Sequence, residues 1–216
     1  MPLALFDLDN TLVDRQAAYL RWAEWFAERH GLGEVGVAWL CRADDDGFAR
    51  RDAVFGAARA RFGLEPSVEA LIADYRREYL TFYRPDDEVT DALAHLRAAG
   101  WVVGVVTNGP PTQHEKLARA GLAGLVDACC VSDEVGATKP DRRIFEAAFR
   151  RCGTGPDGPG PAWMVGDAPG PDIGGGRGVG LSTMWIHRQR EWAETGYRPD
   201  AVVATVAEGV ELLTGC

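Results

Sequence analysis

Asp7 and Asp9 stand one residue apart, directly after the apolar run Leu3 to Phe6. Three further polar groups follow at similar places in the chain. Thr107-Asn108-Gly109 ends the apolar run Trp101 to Val106, Lys139-Pro140 follows Gly136-Ala137-Thr138, and Gly166-Asp167 ends Ala162 to Val165, with Asp172 five residues on. Two or three carboxylates brought together make a hard-oxygen site of the kind that suits Mg2+. A lysine and a hydroxyl beside such a site suit a phosphate group. An aspartate there is already ionised near neutral pH and can act as the nucleophile, through an aspartyl-phosphate. Its repulsion from a phosphate dianion would be removed by the metal and by Lys139.

These groups can meet only if the runs before them are neighbouring strands. Each run has strand length and is apolar throughout, as strands buried on both faces are. Helical stretches separate them: Asp91 to Ala99 before Gly100, Thr112 to Ala120 before Gly121, and Asp141 to Arg151. Val126 to Val131, Leu181 to His187 and Ala201 to Ala204 read as further strands, and Gly174-Gly175-Gly176 as a helix start. Val206 to Leu213 reads as a closing helix. Alternation of this kind predicts an α/β fold, a Rossmann-like parallel sheet with helices on both faces. Ligands of such sheets sit at the carboxyl ends of the strands, and all four polar groups fall at a predicted strand end or in a following loop.

Residues 15–87 differ from their flanks. The apolar residues recur at helical spacing, with stops at Gly31, Gly63 and Pro85 and a cap at Ser67, and no stretch reads as a strand. The predicted organisation is an all-helical insertion, 15–87, within a core formed by 1–14 and 88–216. Phe48 to Phe62 reads as one helix, Asp44-Asp45-Asp46-Gly47 as a solvated turn, and Arg50 and Arg51 as a solvated helix face. The insertion's aromatic residues read as core.

Composition narrows the partners. The chain of 216 residues is 46% hydrophobic and 25% charged, with a formal net charge of −9. There is no lysine-arginine run, so neither nucleic acid nor an anionic membrane is an expected partner. No stretch reaches the ~20 apolar residues of a membrane span, and the first residues do not read as a signal peptide. The expected location is the cytoplasm. The five cysteines, Cys41, Cys129, Cys130, Cys152 and Cys216, lack metal-ligand spacing. Cys129 and Cys130 read as buried thiols. Nothing in the sequence names an oligomeric state.

Taken together and in this order, the four groups resemble the motifs of the haloacid dehalogenase superfamily. Asp7-Leu8-Asp9-Asn10-Thr11 matches the first, Asp-x-Asp-x-Thr; Thr107-Asn108-Gly109 is similar to the second, Lys139-Pro140 to the third, and Gly166-Asp167 with Asp172 to the fourth. The place of the insertion resembles the C1-type helical cap. The resemblance implies Asp7 as nucleophile and Mg2+ ligand, and Asp9 as acid and then base, with its carbonyl on the metal. It implies Thr107 and the Asn108 backbone as phosphate binders, Lys139 as partner of nucleophile and phosphate, Asp167 as a metal ligand, and Asp172 as a ligand through water or an anchor. The true dehalogenases of the family lack a second aspartate at the position of Asp9, and phosphonate hydrolysis there uses a cap lysine, which residues 15–87 do not contain. The expectation is a Mg2+-dependent phosphatase acting on a small phosphomonoester, a sugar phosphate, nucleotide or similar metabolite. A hexose-phosphate mutase-like phosphotransferase and a non-catalytic binding module on the same fold stand as alternatives. Gln113, Lys116-Leu117, Gly121-Leu122 and Ser132 to Gly136 add likeness to N-acylneuraminate-9-phosphatase-like and pyrimidine-nucleotidase-like members, and read as scaffold.

Overall fold

In the computed structural model, which describes residues 1–215, six strands form one parallel sheet: β1 (Leu3–Phe6), β2 (Val102–Thr107), β3 (Ala128–Val131), β4 (Ala162–Gly166), β5 (Ser182–Ile186) and β6 (Ala201–Val203). The spatial order is β3-β2-β1-β4-β5-β6. β1 lies at the centre, paired with β2 on one side and β4 on the other. The chain first builds outward through β2 and β3, then returns past β1 to build the other half. The carboxyl ends of β1 and β4 therefore flank the point where the winding reverses, which is where such sheets bind ligands. Leu3, Leu5, Val106, Met164 and Cys130 are fully buried. Burial of both sheet faces explains why these strands are continuous apolar runs.

The chain divides into two compact units, one formed by Met1–Val13 with the chain from Pro85 onward, the other Asp14–Arg84. The second unit is helical: α1 (Arg15–His30), α2 (Gly33–Asp44), α3 (Arg51–Phe62) and α4 (Val68–Glu78). Asp14 caps α1 by accepting from the Ala17 N–H at 2.8 Å, and Gly31 ends it in the left-handed region. The core of this unit is aromatic. Trp22 and Phe55 are fully buried, Trp22 meets Tyr75 edge-on at 4.9 Å, and Tyr75 stacks on Tyr79 at 4.8 Å.

Three readings of the helical segment are corrected. The helix expected from Phe48 begins at Arg51, because Phe48 closes the short 3-10 turn Asp45–Gly47 and the backbone at Arg50 is extended. Asp44 is not part of a solvated turn. It is buried, accepts from both Arg15 terminal nitrogens at 2.7 and 2.9 Å, and pairs with Arg51 at 2.8 Å. Arg51 is not on a solvated face either, since its guanidinium lies over the Tyr75 and Tyr19 rings at 5.4 and 5.8 Å. Two cations around one buried anion tolerate poorly the loss of the anion. Asp44→Asn is expected to cost about 3 kcal/mol of stability, read from the midpoint of chemical denaturation. A cost under about 0.5 kcal/mol, the range of surface substitutions, would show that the pair is solvated after all.

The remaining helices belong to the first unit: α5 (Asp87–Ala98), α6 (Gln113–Arg119), α7 (Ser132–Val135), α8 (Arg142–Cys152), α9 (Gly175–Gly178) and α10 (Val206–Thr214). The glycine run expected to start a helix does so: Gly174, the last residue of a wide π-type turn, Pro169–Gly174, caps α9, and Gly175 and Gly176 open it. Cys130 and Cys152 are buried, while Cys41 and Cys129 are half-buried. Burial pushes the Cys129 and Cys152 thiols up to about 12, so they stay protonated. Cys216 lies outside the described residues. No described helix is long and apolar enough to cross a membrane.

Candidate active site

Asp7 begins where β1 stops, and its N–H still bonds the Val165 carbonyl of β4 at 2.9 Å. The ladder thus fixes its backbone beside the end of the neighbouring strand. Asn10, two residues after Asp9's neighbour Leu8, turns the chain away with φ 65°, a conformation that asparagine tolerates. Thr107 is the last residue of β2, and Asp167 follows the last residue of β4. Lys139 arrives from the segment before α8. Its placement depends on Asn108, whose side chain accepts from the Lys139 N–H at 2.8 Å and donates to the Lys139 carbonyl at 3.2 Å. This two-way clamp was not legible in the sequence, where Asn108 read as a backbone donor to phosphate.

The centre of the site is an ammonium shared by two acids. Lys139 Nζ lies 2.6 Å from Asp7 Oδ1 and 2.7 Å from Asp172 Oδ1, and all three side chains are buried. Asp172 also accepts from the Ala168 N–H at 2.9 Å through its other oxygen. That position exists because residue 166 is glycine: a Cβ there would stand 2.3 Å from Asp172 Oδ2. Asp7, Asp167 and Asp172 each present a carboxylate oxygen within 4.8 Å of the other two. Three hard oxygen donors at that spacing fit a Mg2+ ion.

Burial dominates the ionisation of the trio. Burial pushes the Asp7 carboxyl up to about 7 against the pull of Lys139, and the neighbouring Asp172 and Asp9 charges add to the rise. Asp172 is raised by burial, and Asp167 by burial and then by Asp7. Burial works against the Lys139 ammonium, but Asp172 and Asp7 outweigh it and hold the proton more tightly than usual. Every carboxyl of the trio is thus harder to ionise than in water, chiefly because burial strips its hydration, and a bound cation would offset that cost.

Some groups at the site escaped the sequence reading. Arg188 and Arg190 follow β5 and reach Asp167 Oδ2, at 3.3 and 3.0 Å. Arg190 also donates to the Asp167 carbonyl at 2.6 Å. The signal was there, in two arginines on alternate residues past a strand end. Gln113 and Lys116, read as scaffold, instead send their side chains to Asp9. Lys116 Nζ lies 2.8 and 2.6 Å from the two Asp9 oxygens, and Gln113 Nε2 lies 3.0 Å from Asp9 Oδ2 and 2.6 Å from Thr107 Oγ1. Spacing of three on a helix put them on one face, and that was the available clue.

Known proteins carry the same arrangement of chain. A family profile described as haloacid dehalogenase-like hydrolase matches residues 1–180. The phosphoserine phosphatase of Thermus thermophilus is 32% identical over 203 residues, covering 90% of this chain and 78% of that protein. The N-acetylmuramic acid 6-phosphate phosphatase of Pseudomonas aeruginosa is 31% identical over 230 residues, covering 97% and 93%. The HAD-hydrolase YfnB of Bacillus subtilis, solved bound to magnesium, superposes with a TM-score of 0.78 at 25% identity, covering 100% of this chain and 99% of that one. The chain belongs to the haloacid dehalogenase-like hydrolase family, as a phosphohydrolase.

Proposed function

We propose that this protein is a Mg2+-dependent phosphatase that hydrolyses a small phosphomonoester through an aspartyl-phosphate on Asp7. The observation that carries the reading is the Lys139 ammonium between Asp7 and Asp172, with Asp167 completing a trio of oxygen donors at the winding reversal. Asp7, Asp167 and Asp172 would hold the metal, with the Asp9 carbonyl as a further oxygen donor and Asp172 either a direct or a water-mediated ligand. Bound there, Mg2+ supplies positive charge for the phosphate oxygens. Asp7 forms the new bond to phosphorus as the ester bond breaks, and Asp9 gives its proton to the leaving oxygen. Asp9 then takes a proton from the attacking water, the bond from Asp7 to phosphorus breaks, and inorganic phosphate is released. Lys139 offsets the charge of nucleophile and phosphate, and Thr107 with the Asn108 N–H holds a phosphate oxygen. The helical unit, residues 14–84, would be the cap that selects the substrate. Sugar phosphates, nucleotides and phosphorylated amino acids are the classes to screen, and the last enters through the phosphoserine phosphatase likeness.

A chromogenic aryl phosphate tests the reaction. Phosphate release is expected with Mg2+ and none with chelator; release that ignores the metal, or no release from a broad phosphometabolite panel, would refute the reading. Metal binding has a second readout. Because protons compete for the same carboxylates, Mg2+ should raise the melting temperature more at about pH 8 than at about pH 5. An equal rise at both would place the ion elsewhere.

A further inference from the structure

Gln113 and Lys116 sit on one face of α6 and are both buried, at 1% and 8% exposure. The chemistry of their partners fixes how Gln113 is oriented. An ionised carboxylate only accepts, so the amide nitrogen must face Asp9 Oδ2, at 3.0 Å. The second N–H of the same group then meets Thr107 Oγ1 at 2.6 Å, and the threonine oxygen must accept it. A hydroxyl that accepts from Gln113 keeps its own O–H for another acceptor. Lys116 takes both Asp9 oxygens at 2.8 and 2.6 Å, so its ammonium fixes where that carboxyl stands.

We propose that Gln113 and Lys116 are positioning residues of the phosphoryl-transfer site. Gln113 turns the Thr107 hydroxyl so that it donates to a phosphate oxygen, and Lys116, with Gln113, holds the Asp9 carboxyl in register with the leaving oxygen. The proposal rests on the phosphomonoesterase reading of the chain. It assigns Lys116 to the leaving group alone, through Asp9, whereas Gln113 serves the phosphate through Thr107 and only assists at Asp9. A pair that merely packed α6 would affect every ester alike.

The test compares two esters on the 216-residue chain. An aryl phosphate expels a nitrophenolate, which needs no proton, whereas an alkyl phosphate such as glycerol phosphate expels an oxygen that does. Lys116→Met is expected to lower kcat on the alkyl ester about a hundredfold and on the aryl ester less than about fivefold, the range of one general acid. Lys116→Arg should restore part of the alkyl rate. Gln113→Leu is expected to raise KM for both esters, and the inhibition constant of inorganic phosphate, about tenfold, the scale of one hydrogen bond to a charged group. The ratio of the two esters and the inhibition constant do not depend on how much of a preparation is folded, so a destabilised variant still reports. Equal losses on both esters for Lys116→Met, or unchanged phosphate inhibition for Gln113→Leu, overturn the assignment. Wild-type values in both variants, with an active parent, overturn it while leaving the phosphatase reading intact. A parent inactive on both esters brings down that reading, and this proposal with it.

Discussion

Asp7→Asn is expected to reduce phosphate release at least about a thousandfold, about 4 kcal/mol in the barrier, while the protein stays folded. The amide has nearly the shape of the carboxyl but is a poor nucleophile and carries no charge to the metal. Retention of the fold follows from the electrostatics. Burial holds the Asp7 carboxyl at about 7, so the folded state disfavours its ionisation. The sign is then set. A carboxyl whose folded value exceeds its unfolded value binds more protons when folded, and stability falls as pH rises between the two. In metal-free buffer the Asn variant should therefore gain on wild type as pH rises from about 4 to about 7, and hold its advantage above that. With Mg2+ present the order should reverse, because wild type alone offers the full trio. Thermal melting with and without the metal measures the stability, and phosphate release measures the rate. A variant that keeps more than about a thousandth of the wild-type rate would remove Asp7 from the role of nucleophile.

Lys139→Ala should damage both stability and rate, and the two losses should respond differently to metal. Removing the ammonium leaves Asp7 and Asp172 buried without the cation that each contacts. Breaking a buried ion pair by deleting one partner costs about 3–5 kcal/mol. Because the cost is uncompensated negative charge, lowering the pH toward about 5 should restore much of it, as the carboxyls take up protons. Added Mg2+ should restore stability too, since it neutralises the same oxygens. Neither should restore the rate. Loss of one electrostatic stabiliser of the transferring group costs roughly 3 kcal/mol or more in the barrier, and a metal at the carboxylates does not replace a cation beside the nucleophile. Recovery of full activity at high Mg2+ would show that Lys139 serves only the carboxylates.

Much of this was legible in the sequence because the relevant physics is local. A strand buried on both faces must be apolar throughout, so β1, β2 and β4 announced themselves, and the polar residue ending each run had to lie at a strand end. That alone assembled Asp7, Thr107 and Asp167 on one edge of a sheet whose parallel order the alternating helices required. Periodicity and glycine stops likewise marked residues 15–87 as helical. What the sequence could not supply was the direction of side chains across long separations. Asp44 looked like the start of a solvated acidic turn because its two guanidinium partners lie 29 residues before it and seven after it in the chain. Gln113 and Lys116 looked like scaffold because their partner, Asp9, is 104 and 107 residues away. Arg188 and Arg190 drew no reading at all, and Asn108 looked like a backbone donor, for the same reason. Propensity and pattern report which residues are buried and which element they occupy; which buried charge faces which is settled by packing, where desolvation forces every polar group to find a partner wherever the fold has brought one.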